Sequence, residues 1–286
     1  MTNTFNVELN IHTKFLLSTS GSQSSIIKHN EALKKIGINL VYFTFPENIT
    51  PDVYAGLLRS PFVKGGAVTG KGQLKSRIIP FLDEVELLAK ETLAVNTVVN
   101  NNGKLHGYNT DAFGFRTALQ KGIEDYKINI HTAVIYGNGG VSGVAFKVLQ
   151  DLGIKVTMVG RNPDAVLKKR LELGIDKIPH FKGPYDLIVD ATPISSDPDF
   201  LNALGFLEII QDCKVVFCHN MPEKDGKLNY LSEYCNRKNI PFIPGNWMYV
   251  SQLVKQYNLY FKGYTKMDTK TSITEEDIRK AWKLTN

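Results

Sequence analysis

The sequence predicts an α/β fold built as two domains, and three observations predict it. After residue 131, short apolar runs alternate with helix-length amphipathic stretches. That alternation argues for parallel strands in a sheet covered on both faces. One apolar run, "TAVIY" at Thr132–Tyr136, leads straight into the glycine turn Gly137-Asn138-Gly139-Gly140. The first hundred residues have a different texture, mixing strand, helix and an Asn/Gly hairpin pattern. The chain has 286 residues, enough for two modest domains.

In the first part, "KFLLSTS" from Lys14 and "LVYFTF" from Leu40 read as strands. "SIIKHNEALKKIG" between them reads as a helix closed by Gly37. "LDEVELLAKET", Leu82–Thr92, is amphipathic. "LAVNTVVNNNGKLHGYNTD" reads as a strand, an Asn/Gly turn and a second strand. In the second part, "VSGVAFKVLQDLG" follows the glycine turn as a helix and "IKVTMVGRN" as the next strand, completing one βαβ unit. "YDLIVDATP" and "CKVVFCHNMP" are further buried strands, and "IPFIPG" another. Tyr257, Tyr260 and Phe261 fit helix packing, and "ITEEDIRKAW" reads as a terminal helix with Thr274 or Ser272 as N-cap.

Composition narrows the function classes. Hydrophobic residues make up 43% and charged residues 22%, the balance of an ordinary soluble protein. The formal charge is +6, but the lysines are scattered, which argues against a nucleic-acid partner and suits a cleft for small anionic ligands. Cys213, Cys218 and Cys235 lack metal-ligand spacing and make an odd count, so no metal and no disulfide framework is expected. The N-terminus shows no secretory pattern and no long apolar stretch occurs. Together these give a cytoplasmic expectation without a membrane partner, as monomer or homodimer.

The glycine turn carries the first chemical signal. Gly137 permits the tight turn, and Gly139 lets a pyrophosphate approach the backbone. The helix beginning at Gly140 then presents oriented N–H groups to the anion. Ser142 stands where a third glycine is usual. The domain therefore reads as Rossmann-like and dinucleotide-binding. The second strand ends in Gly160-Arg161-Asn162 rather than in Asp or Glu. Arg161 suits a 2′-phosphate, so NADP(H) is expected over NAD(H). An apparent P-loop, Gly65-x-x-x-x-Gly70-Lys71, fails because Gly72 stands where Ser or Thr must bind magnesium.

The first part offers Lys75, Asn96 and Asp111 near strand ends. Ketone–alcohol redox chemistry needs a proton donor at the carbonyl oxygen, which a lysine ammonium supplies and a carboxylate can position. Asn side chains can hold substrate hydroxyls through one donor and one acceptor face.

With these motifs in order, the sequence resembles the shikimate dehydrogenase family over nearly its whole length. The family's "AVNT" stands as Ala94-Val95-Asn96-Thr97, and its "G-x-N-T-D" as Gly107-Tyr108-Asn109-Thr110-Asp111. Its "GAGG" stands as Gly137-Asn138-Gly139-Gly140, and its "NRT" as Gly160-Arg161-Asn162. Its late "G-x-x-M-L-x-x-Q" is matched by Gly245, Met248 and Gln252, with Tyr249 for the leucine. The resemblance implies a mixed α/β substrate-binding domain, residues 1–110 completed by helices in 246–286. It also implies a Rossmann-like NADP-binding domain, 111–245.

The resemblance further implies NADPH-dependent reduction of 3-dehydroshikimate to shikimate, with Lys75 and Asp111 catalytic. Asn96, Gln252, Ser22 and Ser24 would bind the small anionic cyclic substrate. Gly137, Asn138, Gly139, Gly140, Arg161, Asn162, Gly245 and Met248 would bind the cofactor. Counting back from "AVNT" selects Lys75, with Lys71 as runner-up. The family's "H-S-x-S-P-x-x-H-N" is altered to "STSGSQSSIIKHN", where an ungapped reading offers Ser25 for the second serine. Quinate or another cyclic polyol acid is therefore an alternative substrate, and a non-catalytic nucleotide sensor an alternative function. His219 or Asn220 is a candidate for the nicotinamide pocket.

Overall fold

The computed structural model describes residues 9–45, 49–70, 74–175, 184–196, 199, 206–221, 223–224, 227–262 and 273–282. Lys71, Ser272 and the apparent magnesium position Gly72 lie outside them. The chain divides into two compact units, Met1–Thr110 with Gln252–Asn286, and Asp111–Ser251.

The first unit opens with β1 (Lys14–Ser18), α1 (Gln23–Lys35), β2 (Leu40–Thr44), α2 (Pro51–Leu58) and β3 (Val63–Ala67). It continues with α3 (Leu74–Arg77), β4 (Glu84–Val85), α4 (Leu87–Glu91), β5 (Thr97–Asn101) and β6 (Lys104–Tyr108). The six strands form one mixed sheet in the order β2-β1-β3-β5-β6-β4. β1 pairs parallel with β2 and β3, whereas β3–β5 and β5–β6 are antiparallel. Leu17, Tyr54, Leu58, Val68, Ile78, Val95, Val98 and Leu105 form its core.

Two segments differ from the sequence reading. "VKGGA" is strand β3 in the middle of the sheet, although its paired glycines have poor strand propensity. A Cβ on Gly66 would collide with the Tyr54 hydroxyl and the Leu17 carbonyl, and one on Gly65 with the Val98 carbonyl. Close backbone approach, not propensity, selects glycine there. "LDEVELLAKET" divides into β4 and α4 instead of running as one amphipathic element. Asp83 N and Glu86 N donate to Leu105 O and Gly107 O, drawing the segment's start onto β6.

α5 (Thr110–Tyr126) leads into the second unit. There follow β7 (Thr132–Tyr136), α6 (Gly140–Asp151), β8 (Lys155–Val159), α7 (Pro163–Leu173), β9 (Leu187–Asp190), α8 (Phe206–Ile210) and β10 (Val215–Cys218). β11 (Glu223–Lys224), β12 (Lys227–Leu228), α9 (Tyr230–Lys238), β13 (Phe242–Ile243) and α10 (Gly245–Phe261) come next. The chain's described part ends with α11 (Glu275–Trp282) in the first unit.

The second unit's main sheet is parallel throughout, in the order β13-β10-β9-β7-β8. Its strand interiors are buried, as the unbroken apolar runs require. From β7 the chain first winds to β8 and then returns to β9, β10 and β13 on the other side. The order reverses at the β7/β9 boundary, the place where open α/β sheets bind ligands at their strand C-terminal ends.

Candidate active site

Asn96 lies where the ends of β3, β5 and β6 come together. Val68 N donates to Asn96 O at 2.8 Å, and Asn96 N donates to Tyr108 O at 3.0 Å. Val95 N donates to Lys75 O at 2.8 Å, so the backbone of short helix α3 hangs from the residue before Asn96. Asn96 itself is 3% exposed. Its Oδ1 accepts from Thr110 N at 2.9 Å and from Thr97 Oγ1 at 2.9 Å, while Nδ2 donates to Thr110 Oγ1 at 2.9 Å. Asp111 follows Thr110 in the first turn of α5 and is buried. Asn109 is buried too, its Nδ2 donating to Thr92 Oγ1 at 2.9 Å. On α10, Gln252 is half-buried and Gln256, one turn on, is buried.

A second polar group lies at the C-terminal end of β1. Ser18 Oγ donates to Ser20 O at 2.9 Å and lies 3.2 Å from Thr69 Oγ1. Thr69 Oγ1 donates to Ser20 O at 2.6 Å, and Thr19 Oγ1 donates to Thr69 O at 2.8 Å. Gly70 has φ +94°, and a Cβ there would meet Ser20 Oγ at 2.5 Å. The Tyr42 hydroxyl bonds the Ser18 and Ser25 side chains, and burial is the main cause raising its pKa. Ser22, by contrast, is the N-cap of α1, its Oγ accepting from Ser25 N at 3.2 Å. Ser24 is exposed in the first turn of that helix. Sequence reasoning missed Ser18, Ser20 and Thr69. The signal that could have found them is the hydroxyl run "STSGS" beside "VTG", which follows the neighbouring parallel strand β3.

In the second unit the glycine turn sits at the switch point. Gly137 has φ +116°, a region that favours glycine. A Cβ there would meet Thr192 Cγ2 at 2.5 Å and Ala191 O at 3.0 Å, placing the turn after β7 against the turn after β9. Gly139 is the N-cap of α6, which therefore begins with no side-chain cap bond, and Asn138, Gly139 and Gly140 are exposed. The N-termini of α1, α7 and α9 are instead capped by Ser22, Asn162 and Asn229. An open helix N-terminus behind a glycine turn suits a phosphate. Buried Ser142 returns its hydroxyl to Gly139 O, allowing close packing where a third glycine is usual.

Arg161 is exposed just beyond β8. Asn162 beside it spends its Oδ1 on Ala165 N, at 3.0 Å. After β9 and β10, Asn220 Nδ2 donates to Thr192 O and to Ser195 Oγ, both at 2.6 Å. His219 Nδ1 lies 2.9 Å from Asp190 O. A carbonyl only accepts, so Nδ1 is the donor in this bond. Asp190 is buried, its Oδ1 accepting from Thr192 N at 3.0 Å and Thr192 Oγ1 at 2.7 Å. Burial raises its pKa, against the opposing pull of Thr192 and of His219. Burial, and then Asp190, push the Cys218 thiol well up. A Cβ on Gly245 would strike the His219 and Asn220 carbonyls, and Met248 one turn on is buried.

A scan against protein-family models finds no match. Curated relatives do match. A shikimate dehydrogenase (NADP(+)) of Halothermothrix orenii is 37% identical over 197 residues, 62% of this chain and 66% of that protein. A shikimate dehydrogenase (NADP(+)) of Bacillus cereus is 32% identical over 190 residues, 62% of this chain and 67% of that protein. The chain belongs to the shikimate dehydrogenase family.

The aligned parts span about two thirds of those shikimate dehydrogenases, while the likeness of fold extends further. The solved structure of a shikimate 5-dehydrogenase-like protein superposes with a TM-score of 0.75 at 25% identity, covering 96% of this chain and 98% of that one. The second unit is therefore the Rossmann-like domain of a shikimate dehydrogenase fold, and the first unit its mixed α/β partner. Shikimate dehydrogenases named for NADP(+) are oxidoreductases, which agrees with the glycine turn and exposed Arg161 of this chain.

Proposed function

We propose that the protein interconverts 3-dehydroshikimate and shikimate with NADP(H). The observation that carries the reading is the buried Asn96 node. Its neighbour Val95 is bonded to the backbone of Lys75, and its partner Thr110 precedes Asp111. Three polar residues of the expected chemistry are thus tied to one point of the fold through their backbones. The glycine turn at the switch point, with its uncapped α6, fits the pyrophosphate of the cofactor. Bound NADPH supplies hydride to the substrate ketone.

In that reaction the Lys75 ammonium gives a proton to the carbonyl oxygen, and Asp111 holds the ammonium in place. In the oxidative direction Lys75 takes that proton back. Asn96 and Gln252 fix the ring hydroxyls. The substrate carboxylate falls to the hydroxyls beginning α1, Ser22 and Ser24, together with Ser20. The cap bond of Ser22 uses an oxygen lone pair and leaves its O–H to donate. Gly137, Asn138, Gly139 and Gly140 hold the pyrophosphate, Arg161 the 2′-phosphate, and Gly245 and Met248 the nicotinamide end. Asn162 contributes by setting the start of α7.

The test is NADP+ reduction assayed with shikimate and with quinate. Turnover of shikimate with the larger kcat/KM supports the reading. A preference for quinate moves the substrate to another cyclic polyol acid. Turnover of neither, with NADPH still bound, supports a nucleotide sensor.

A further inference from the structure

Asp190 is a fully buried carboxylate that the proposed reaction does not use. It ends β9, whose other residues are the apolar Leu187, Ile188 and Val189, and it is 0% exposed. A carboxylate is retained in such a place where donors meet it. Thr192 supplies two of them, N at 3.0 Å and Oγ1 at 2.7 Å, both on Asp190 Oδ1. Cys218 Sγ stands 3.5 Å from Oδ2. The same threonine hydroxyl accepts from Ile194 N at 3.1 Å, so its proton goes to Asp190 and a lone pair to Ile194. Rotating the threonine side chain would break both bonds. Held as it is, its methyl Cγ2 lies where a Gly137 side chain would stand, 2.5 Å from the position of that Cβ.

Main chain holds the glycine turn on its two flanks. Gly137 N donates to Val159 O at 2.8 Å after β8, and Ala191 N donates to Tyr136 O at 2.9 Å after β9. Behind the turn stands the Thr192 methyl, and Thr192 O is itself fixed by Asn220 Nδ2 at 2.6 Å. We infer that Asp190, acting through Thr192, is a positioning residue that holds the glycine turn in the shape that receives the cofactor's pyrophosphate. A turn already fixed gives up less conformational freedom when an anion binds, and the difference appears as affinity. Removing the carboxylate frees the Thr192 side chain, and removing the methyl leaves a gap behind Gly137. In both cases the turn loses its backing while Asn138, Gly139 and Gly140 keep their own atoms. The role needs the Oδ1 acceptor and not the charge, because an asparagine amide offers the same acceptor. All of these residues belong to the second unit. The ligand role rests on the function proposed above; the orientation of Thr192 by Asp190 stands independently of it.

The experiment measures Kd for NADPH, NADH and 2′-AMP by calorimetric titration of the full-length protein, in wild type, Asp190→Leu, Asp190→Asn and Thr192→Ser. Asp190→Leu should weaken NADPH binding about tenfold, the scale of one buried hydrogen bond. Thr192→Ser keeps the hydroxyl and loses the methyl, and should weaken it about fourfold, the scale of one methyl group. Asp190→Asn keeps the acceptor and should stay within about twofold. NADH carries the same pyrophosphate and should lose affinity by the same factors. 2′-AMP carries none and should stay within about twofold in every variant. Equal losses for NADPH and 2′-AMP would mean a general loosening of the domain and overturn the positioning role. Unaltered NADPH affinity in Asp190→Leu or in Thr192→Ser would overturn it as well. So would a loss in Asp190→Asn as large as that in Asp190→Leu, which would assign the effect to charge. Far-UV circular dichroism checks that each variant is folded, and Thr192→Ser decides by the same outcomes if Asp190→Leu is not. A wild type that binds no NADPH overturns the cofactor reading and this inference with it. A wild type that binds NADPH, with Thr192→Ser unaltered, overturns the inference alone.

Discussion

Asn30 holds both backbone polar groups of Tyr42. Tyr42 N donates to Asn30 Oδ1 at 2.9 Å, and Asn30 Nδ2 donates to Tyr42 O at 2.9 Å. The same nitrogen donates to Ile26 O, one turn earlier on α1, at 2.9 Å. β2 is the outer strand of its sheet, and these are the groups a foreign strand would otherwise seek. Asn30→Leu leaves a buried N–H and carbonyl without partners and should cost about 2–4 kcal/mol. Urea unfolding should show it as a lower midpoint at unchanged slope. Asn30→Asp, which keeps the acceptor and loses the donor, should fall between. An unaltered midpoint in the leucine variant would contradict this account of the clamp.

The neighbouring residue makes stability depend on pH. His29 stacks on Tyr42 with centroids 3.8 Å apart, meets Trp282 edge-on at 4.8 Å, and has Nδ1 2.6 Å from the Tyr257 hydroxyl. Burial lowers its pKa from 6.5 to about 3. The folded value is depressed, so the unfolded chain takes up the proton first. The contribution is therefore intact above pH 6.5 and is lost as pH falls from there toward 3. The slope is at most about 1.4 kcal/mol per pH unit. Urea midpoints of wild type and His29→Phe at pH 7, 5.5 and 4.5 test this. The wild type should fall more steeply, so the gap between the two should narrow with acid. Parallel curves would place the acid sensitivity elsewhere.

How much of this could be read from the sequence depends on which force shapes each element. The strands of the second unit are buried on both faces, and "TAVIY", "LIVD" and "VVFC" state that directly as apolar runs. The Gly137 turn was equally legible, because only glycine serves at φ +116° against Ala191. β3 was not legible, since Gly65 and Gly66 answer to the Tyr54 hydroxyl and the Val98 carbonyl, which only the assembled sheet brings near. The hydroxyl group of Ser18, Ser20 and Thr69 was hidden for the same reason: parallel pairing joins residues some fifty apart in sequence. Gln256 carries no local signal at all, being one polar residue on a helix until Thr97 is placed opposite it. Asn162 shows the reverse, a residue chosen for a motif whose side chain also has the ordinary duty of a helix cap.

The choice of lysine is open to a direct comparison. Lys75 is half-buried on α3, and its carbonyl holds Val95 N at 2.8 Å. Lys75→Ala should lower kcat by about 10²–10⁴, the range for losing a positioned proton donor, with smaller change in KM. Lys71→Ala should stay within about threefold of wild type. Lys75→Arg retains charge but not a readily transferred proton, and should remain slow. A severe loss in Lys71→Ala with a mild one in Lys75→Ala would exchange their roles, and two mild variants would remove the lysine mechanism.

Arg161 is the residue we propose decides between the two nicotinamide cofactors. It stands exposed after β8, between Gly160 and the capped start of α7. A Cβ on Gly160 would approach Gly137 Cα at 3.6 Å, so the arginine begins directly beside the glycine turn. A guanidinium can meet a 2′-phosphate through two parallel hydrogen bonds, which a ribose hydroxyl cannot reproduce. Charge-assisted bonds of this kind contribute about 1.5–3 kcal/mol, or roughly 10- to 100-fold in affinity. Arg161→Ala should raise KM for NADPH by that factor and leave KM for NADH within about twofold. Because the site is exposed, added salt should weaken NADPH binding in the wild type and narrow its difference from the variant. An NADPH KM unaffected by Arg161→Ala would assign the 2′-phosphate to another residue.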